Sequence, residues 1–270
     1  MMKTQKGENP TSKTKKPLIL VTNDDGVDAR GLRALADVAR EFGRVVVVAP
    51  SSAQSGKSHA ITFTSPLRLR RIYKEKDFEI YKANNTPVDA MKLAMNALLK
   101  DQKIDLLISG INHGSNSSSS VFYSGTMAAA IEGCLNRIPS IGFSLASYKF
   151  DASFDAAKIV ARKIIKETMA NKLPLHICLN VNIPNVSIDE IKGYRITRQS
   201  LNHWQECLDE RIDPIGNPYY WLTGELVELD KKRDTDEWAL KNNYVSINPV
   251  HIDLTAHDYM KTMKTWNFKK

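Results

Sequence analysis

Asp24 and Asp25 are adjacent carboxylates, followed at once by Gly26, at the end of the apolar run Leu18-Ile19-Leu20-Val21. Two acids held close repel unless a proton or a cation sits between them, so a divalent metal with oxygen ligands is the economical way to hold the pair. Neighbouring strand residues point to opposite faces, so both acids reach one ligand only where the backbone has left the extended conformation, and Gly26 permits that turn. A solvated Asp-Gly turn is the competing reading, and turn chemistry alone weighs the two equally. Further polar groups recur where apolar runs stop. Ser55 precedes Gly56 in the small polar loop 51–59, Asn112 follows the apolar stretch 104–111, and Ser124-Gly125-Thr126 opens the small-residue segment 127–134. A helix start with hydroxyls and free backbone N–H groups is an anion site, although a plain Ser/Thr cap is the commoner use. Together these are hard oxygen donors and phosphate-grade hydrogen-bond donors, a set suited to Mg²⁺, Mn²⁺ or Ca²⁺ rather than zinc. A hard metal beside an anion-binding helix start points to phosphate esters, with water activated and the phosphoryl charge neutralised.

The elements that must position these groups follow from hydrophobic pattern. An unalternating apolar run at 18–21 suits a central strand covered on both faces, and Gly31, Leu32, Leu35, Val38 and Ala39 have helical spacing just downstream. Residues 45–50 read as a second buried strand of β-branched residues closed by Pro50. Alternation at 61–64, 67–70 and 78–81 predicts half-exposed antiparallel strands. Thr86 and Pro87 open a helix as N-cap and first turn. Residues 104–111 and 139–145 read as buried strands and 154–169 as an amphipathic helix. Residues 177–184 read as a strand stopped by Pro184. The Ser/Asn-rich residues 115–120 are a linker or a substrate lip. Beyond Pro184 the texture implies short strands and long excursions. The organisation expected is α/β: a basic, disordered leader over 1–16, a catalytic core over 17–184, and an extension over 185–270 that completes the core and reaches a neighbouring subunit. The aromatic surface of Tyr219, Tyr220, Trp221, Leu222 and Trp238 suggests that last role.

A chain of 270 residues, 42% hydrophobic and 25% charged, has the composition of a soluble globular protein. The formal net charge of +8 is entirely terminal: five lysines against Glu8 in residues 1–16, and four lysines with no acid in residues 261–270. The body between is neutral, so no extended nucleic-acid surface is indicated. Cys134, Cys178 and Cys207 show no metal-ligand spacing and read as reduced thiols. No apolar run approaches a membrane span and no signal-peptide core is present, so a cytoplasmic location is expected.

The run Val21-Thr22-Asn23-Asp24-Asp25-Gly26-Val27, the Ser55-Gly56 loop, Ser109-Gly110-Ile111-Asn112, Tyr123-Ser124-Gly125-Thr126-Met127-Ala128-Ala129-Ala130 and Leu179-Asn180-Val181-Asn182-Ile183-Pro184 together resemble the SurE family of survival-protein nucleotidases. These five ordered motifs span the chain from about residue 18 to 184, and the likeness continues to about 249. The resemblance implies a Rossmann-like layered sheet with helices on both faces, and a C-terminal extension of short strands and a helix used in oligomerisation. It implies a homodimer or homotetramer acting on nucleoside 5′-monophosphates, with 3′-monophosphates as further substrates. By the same matching, Asp24, Asp25, Ser55 and Asn112 bind one divalent cation per subunit, Mg²⁺ or Mn²⁺ in use and Ca²⁺ as a crystal substitute. Asn116, Ser124, Gly125 and Thr126 then surround the substrate phosphate, and Asp24 is the general base. The chain departs from the family pattern at His113 and at Ser117 to Ser120, which bears on substrate preference; His113 reads as a hydrogen-bonded loop histidine.

Rival readings fit less well. A phosphatase working through an aspartyl-phosphate wants two acids two residues apart, and a dinucleotide-binding fold wants a GxGxxG turn that is absent. A phospho-receiver domain also begins with paired acids, but it is about half this length and has an Asp where Asn112 stands. A nucleotide-binding module without catalysis is not separable by sequence.

Overall fold

β1 (Leu18–Thr22) is buried at every position, as an unalternating apolar run requires. The computed structural model describes residues 16–268. The leader expected over 1–16 therefore lies outside the described residues except for Lys16, whose ammonium pairs with Asp77 at 2.8 Å. After β1 come α1 (Arg30–Ala39), β2 (Arg44–Pro50), β3 (Leu69–Glu75), β4 (Phe78–Ala83), α2 (Pro87–Leu93), β5 (Leu106–His113), α3 (Gly125–Leu135), β6 (Ser140–Ala146), α4 (Asp155–Ala170) and β7 (Ile177–Pro184). β8 (Gly193–Ile196), β9 (His203–Ile212), β10 (Pro218–Val227), α5 (Asp236–Lys241), β11 (Tyr244–His251) and α6 (His257–Met263) follow.

Nine strands form one sheet in the order β3-β4-β2-β1-β5-β6-β7-β11-β8. The six from β4 to β7 are parallel, and antiparallel pairing enters only at β3–β4 and β7–β11. The chain winds one way from β1 through β2 to β4, then the other way from β5 to β7. The β1/β5 boundary is thus a topological switch point, where open α/β sheets take ligands at their carboxyl ends.

Period-two alternation splits the strands between two helical layers. Ile19, Val21, Val45, Val47 and Ile108 pack with Leu32 and Leu35 of α1 and Ile164 of α4. Leu18, Leu20, Val46, Val48 and Leu107 pack with Ala90 and Met91 of α2 and Ala129 of α3. Each large apolar side chain buried this way contributes about 1.5–3 kcal/mol. This is the layered, Rossmann-like α/β architecture expected. α2 starts as its sequence dictates: the Thr86 hydroxyl accepts from the Asp89 backbone N–H at 3.1 Å, the Asp89 carboxylate accepts from that of Thr86 at 3.2 Å, and Pro87 follows.

Three expectations need correction. Residues 61–64 alternate but form no strand, because the Asp89 carboxylate captures both the backbone N–H (3.0 Å) and the hydroxyl (2.7 Å) of Thr62. The C-terminal strands are not all short: β9 and β10 have ten residues each and pair antiparallel along their whole length. The Asp213 carboxylate closes their turn by accepting from the backbone N–H groups of Ile215 and Asn217, so the punctuated stretch 213–224 is a tight turn and a strand. Trp238 is spent within the chain, stacked on Tyr244 with ring centroids 6.1 Å apart and the Arg195 guanidinium over both rings.

Candidate active site

The turn after β1 brings the acids to the switch point. Gly26 takes φ +100°, its carbonyl accepts from the Asn23 side-chain amide at 3.0 Å, and Val27 donates to the Pro50 carbonyl at 2.8 Å. Asp24 is 4% exposed and lines a cavity of about 450 Å³ with Ser55, Asn112, Asn116, Ser124, Tyr123, Tyr148 and Trp204. Cavities of about 730 and 760 Å³ lie elsewhere. They lack the paired acids, and convergent polar groups with perturbed acidity mark a site better than volume does.

Asp25 turns away from that lining toward β5, where its carboxylate accepts from the His113 backbone N–H at 3.3 Å. Gly125 and Thr126 stand behind Asp24 rather than in the cavity. The Thr126 hydroxyl donates to the Asp24 carboxylate, and a Cβ on Gly125 would lie 2.7 Å from that of Asp24, so only glycine lets the start of α3 come this close. Ser124 caps α3 by accepting from Met127 N–H at 3.0 Å and still faces the cavity.

Burial is the main cause that pushes the Asp24 carboxyl up to about 6; the Asp25 charge adds to it and the Thr126 hydrogen bond opposes it. Burial also raises Asp25, against the His113 N–H. The His113 imidazole is pushed down by burial and by Arg30, so it is held toward the neutral form. Among the described residues, no lysine or arginine pairs with either acid and no cluster of three His, Cys, Asp or Glu could hold a metal. Any cation here must therefore draw on neutral oxygens. Asn112 turns its amide nitrogen to the Gly114 carbonyl at 2.8 Å, which leaves its oxygen for a ligand. The Ser55 hydroxyl is exposed and has no hydrogen-bond partner among the described residues. Two acids lacking a counter-charge, with two neutral oxygens at the same end of the sheet, fit a hard divalent ion.

Supporting contacts fix the ligating segments. The Gln54 backbone N–H donates to the Asp24 carbonyl at 2.7 Å, and Ser58 donates to the Phe122 and Tyr123 carbonyls. His59 Nε2 lies 3.0 Å from Glu132 of α3, whose other oxygen accepts from Lys92 of α2 at 2.7 Å. The His59 hydrogen bond first, and then Lys92, hold the Glu132 carboxyl down at about 2. Asn116 sits in a buried net: its backbone N–H donates to Asn182, its side-chain amide to Ser144, and its carbonyl accepts from Asn180. The serine run is pinned too, Ser117 on Glu237 and Ser118 on Asp236 of α5.

Several of these residues escape sequence reading. Asn180 and Asn182 carried a signal, two polar residues at period two inside a buried strand. Glu132, on a helix of small residues, and Trp204, in a segment read as an excursion, carried none.

A family model described as "Survival protein SurE" matches residues 19–206. The chain is 51% identical over 255 residues to a protein of Flavobacterium johnsoniae named 5′-nucleotidase SurE, covering 94% of this chain and 98% of that one. It is 50% identical over 256 residues to the protein of that name from Flavobacterium psychrophilum, covering 94% and 99%. Among solved structures, the crystal structure of the SurE protein from Aquifex aeolicus superposes with a TM-score of 0.80 at 40% identity, over 92% of this chain and 98% of that one.

Proposed function

The chain belongs to the survival protein SurE family, and from that premise we propose that it is a 5′-nucleotidase. In this reading it is a divalent-metal-dependent phosphomonoesterase that hydrolyses nucleoside 5′-monophosphates, and 3′-monophosphates as further substrates, to nucleoside and phosphate. The activity for which its relatives are named supports the reading. The observation that carries it is an acid pair with no lysine or arginine counter-charge among the described residues, in which Asp24 is buried against the start of α3 and lines a cavity with neutral oxygen donors.

Asp24, Asp25, Ser55 and Asn112 would hold the cation, Mg²⁺ or Mn²⁺ by the hardness of their oxygens. Bound there, the ion supplies the missing positive charge, makes water more acidic and neutralises charge on the phosphoryl oxygens. Ser124 and Asn116 face the phosphate, and Thr126 and Gly125 seat Asp24 against the helix start. Asp24 takes the proton of the attacking water and returns it to the departing nucleoside oxygen. A cation held beside it would favour its charged form, the form a general base needs. Asp25, one residue further along the chain, is chiefly a ligand.

The protein is read as cytoplasmic and as a homodimer or homotetramer assembled through residues 185–270. Exposed Tyr219 and Trp221 on the hairpin and Trp266 beyond α6 support the assembly. Among the described residues no helix is long and apolar enough to cross a membrane.

The reading is tested by phosphate release from a panel of 5′- and 3′-mononucleotides with Mg²⁺, Mn²⁺ or EDTA. Release with metal that EDTA abolishes is expected; equal release in EDTA, or none from any nucleotide with either metal, rejects it.

A further inference from the structure

A cavity of about 640 Å³ adjoins the catalytic one and shares Gly56, Tyr123 and Trp204 with it. His203, Glu206 and Leu222 of the β9–β10 hairpin complete the lining that matters here. Asp24 stands at one end of the joined space, and the second cavity carries no lysine, arginine or metal-grade acid pair. Its character is instead aromatic and apolar with one carboxylate.

The two shared aromatic residues are large surfaces left uncovered: Trp204 is 42% exposed and Tyr123 is 59% exposed. Each is held by a contact that leaves its ring face open. The indole N–H of Trp204 donates to the Ser120 hydroxyl at 3.4 Å, which fixes the ring edge against the serine loop. The Tyr123 carbonyl accepts from the Ser58 backbone N–H at 3.2 Å, which ties that residue to the Ser55 loop. Along β9, Trp204, Glu206 and Leu208 share one face by the period of two, and Leu222 lies directly opposite Leu208. One face of the hairpin thus carries a flat ring, a hydrogen-bond acceptor and an aliphatic side chain in a row.

A phosphate seated at Asp24 uses only the acid end, and the remainder of a phosphomonoester must extend toward this second cavity. Planar heterocycles stack on exposed aromatic side chains without regard to sequence, and a carboxylate accepts from an exocyclic amino group. We propose that the second cavity is the base subsite of the enzyme, that Trp204 is its stacking platform, and that the hairpin selects amino-bearing nucleobases through Glu206. This deepens the phosphomonoesterase reading and rests on it for the placement of the phosphate.

The experiment compares adenosine 5′-monophosphate with ribose 5-phosphate, which has the same phosphate and no base, in the wild type, Trp204→Ala and Trp204→Phe. In parallel, adenosine alone is titrated calorimetrically into each protein in EDTA, a readout independent of turnover. Trp204→Ala is expected to lower the ratio of kcat/KM for the nucleotide over the sugar phosphate about tenfold to hundredfold, the range that stacking on one aromatic supports. Trp204→Phe is expected to keep most of the ratio, and adenosine binding is expected in the wild type and the Phe variant but not in the Ala variant. A ratio unmoved by Trp204→Ala overturns the subsite, as does an equal fall for both substrates, which is what a structural role gives. Absence of phosphate release from every ester rejects the phosphatase reading instead, and the adenosine titration then decides the subsite alone: binding lost only in Trp204→Ala supports it, and binding indifferent to residue 204 overturns it.

Discussion

Asp24 and Glu132 are both buried carboxylates, 4% and 5% exposed, and both touch the helix α3, yet they have opposite electrostatics. Glu132 has its partners built in: the His59 ring and the Lys92 ammonium each meet one of its oxygens, and its carboxyl is held down at about 2. Asp24 has a hydroxyl and a second acid for neighbours, and its carboxyl is pushed up to about 6. Burying a charge is costly unless it is paired, so the first is a structural clamp and the second calls for a cation. The clamp also serves the site, because His59 closes the loop that carries Ser55.

The largest effect expected falls on the acid pair. Asp24→Asn and Asp25→Asn should each lose about 10²–10⁴-fold in turnover or more, since loss of a general base alone accounts for that range. Ser55→Ala and Asn112→Ala, which remove neutral oxygens, should cost less. Steady-state phosphate release at saturating Mn²⁺ measures this order, and near-normal turnover by Asp24→Asn would remove its role as base.

The next effect is on stability against pH. A carboxyl raised from 3.8 to about 6 by folding gives stability that is full below 3.8 and is lost as pH rises through 6, on the order of 2–3 kcal/mol for the metal-stripped protein. Glu132 has the opposite sign: its contribution is full above 4.5 and fades as pH falls toward 2. Thermal melts in EDTA should therefore fall between pH 4 and 6 in the wild type and fall less in Asp24→Asn, where Asp25, also raised by burial, remains. A fall of wild-type size in Asp24→Asn would trace to other groups.

The smallest effect is that of breaking the clamp. Glu132→Gln should cost about 1–2 kcal/mol in chemical denaturation, at the low end for a buried pair because the Lys92 and His59 side chains are 39% and 34% exposed. Turnover per folded molecule should change far less than in the Asp variants. A loss of turnover as large as theirs, with stability intact, would mean that Glu132 belongs to the chemistry.

The same contrast explains what was legible in the sequence. Asp24 and Asp25 break an apolar run and are followed by glycine, so both strand and turn are written locally. The central strands were readable because burial on two faces leaves an unbroken apolar signature, and α1 because its buried positions recur at helical spacing. Thr86 and Pro87 declared the start of α2. Glu132 was invisible because its partners are 73 and 40 residues away, and a lone acid on a helix gives no sign of what it will meet. Residues 61–64 misled because alternation reports only the chain's preference, and the Asp89 carboxylate offered Thr62 a better partner than a neighbouring strand. Trp204 was hidden because the hairpin lies outside the main sheet and shows its function only through the cavity it borders.

The most direct measurement of the central claim, that the acid pair is a cation site while Glu132 is already paired, is a Mn²⁺ binding isotherm for wild type, Asp25→Asn and Glu132→Gln, followed by electron paramagnetic resonance. One ion per chain is expected for wild type and for Glu132→Gln, with binding lost from Asp25→Asn over the same concentration range. Binding to Asp25→Asn equal to wild type, or binding abolished by Glu132→Gln in folded protein, would contradict it.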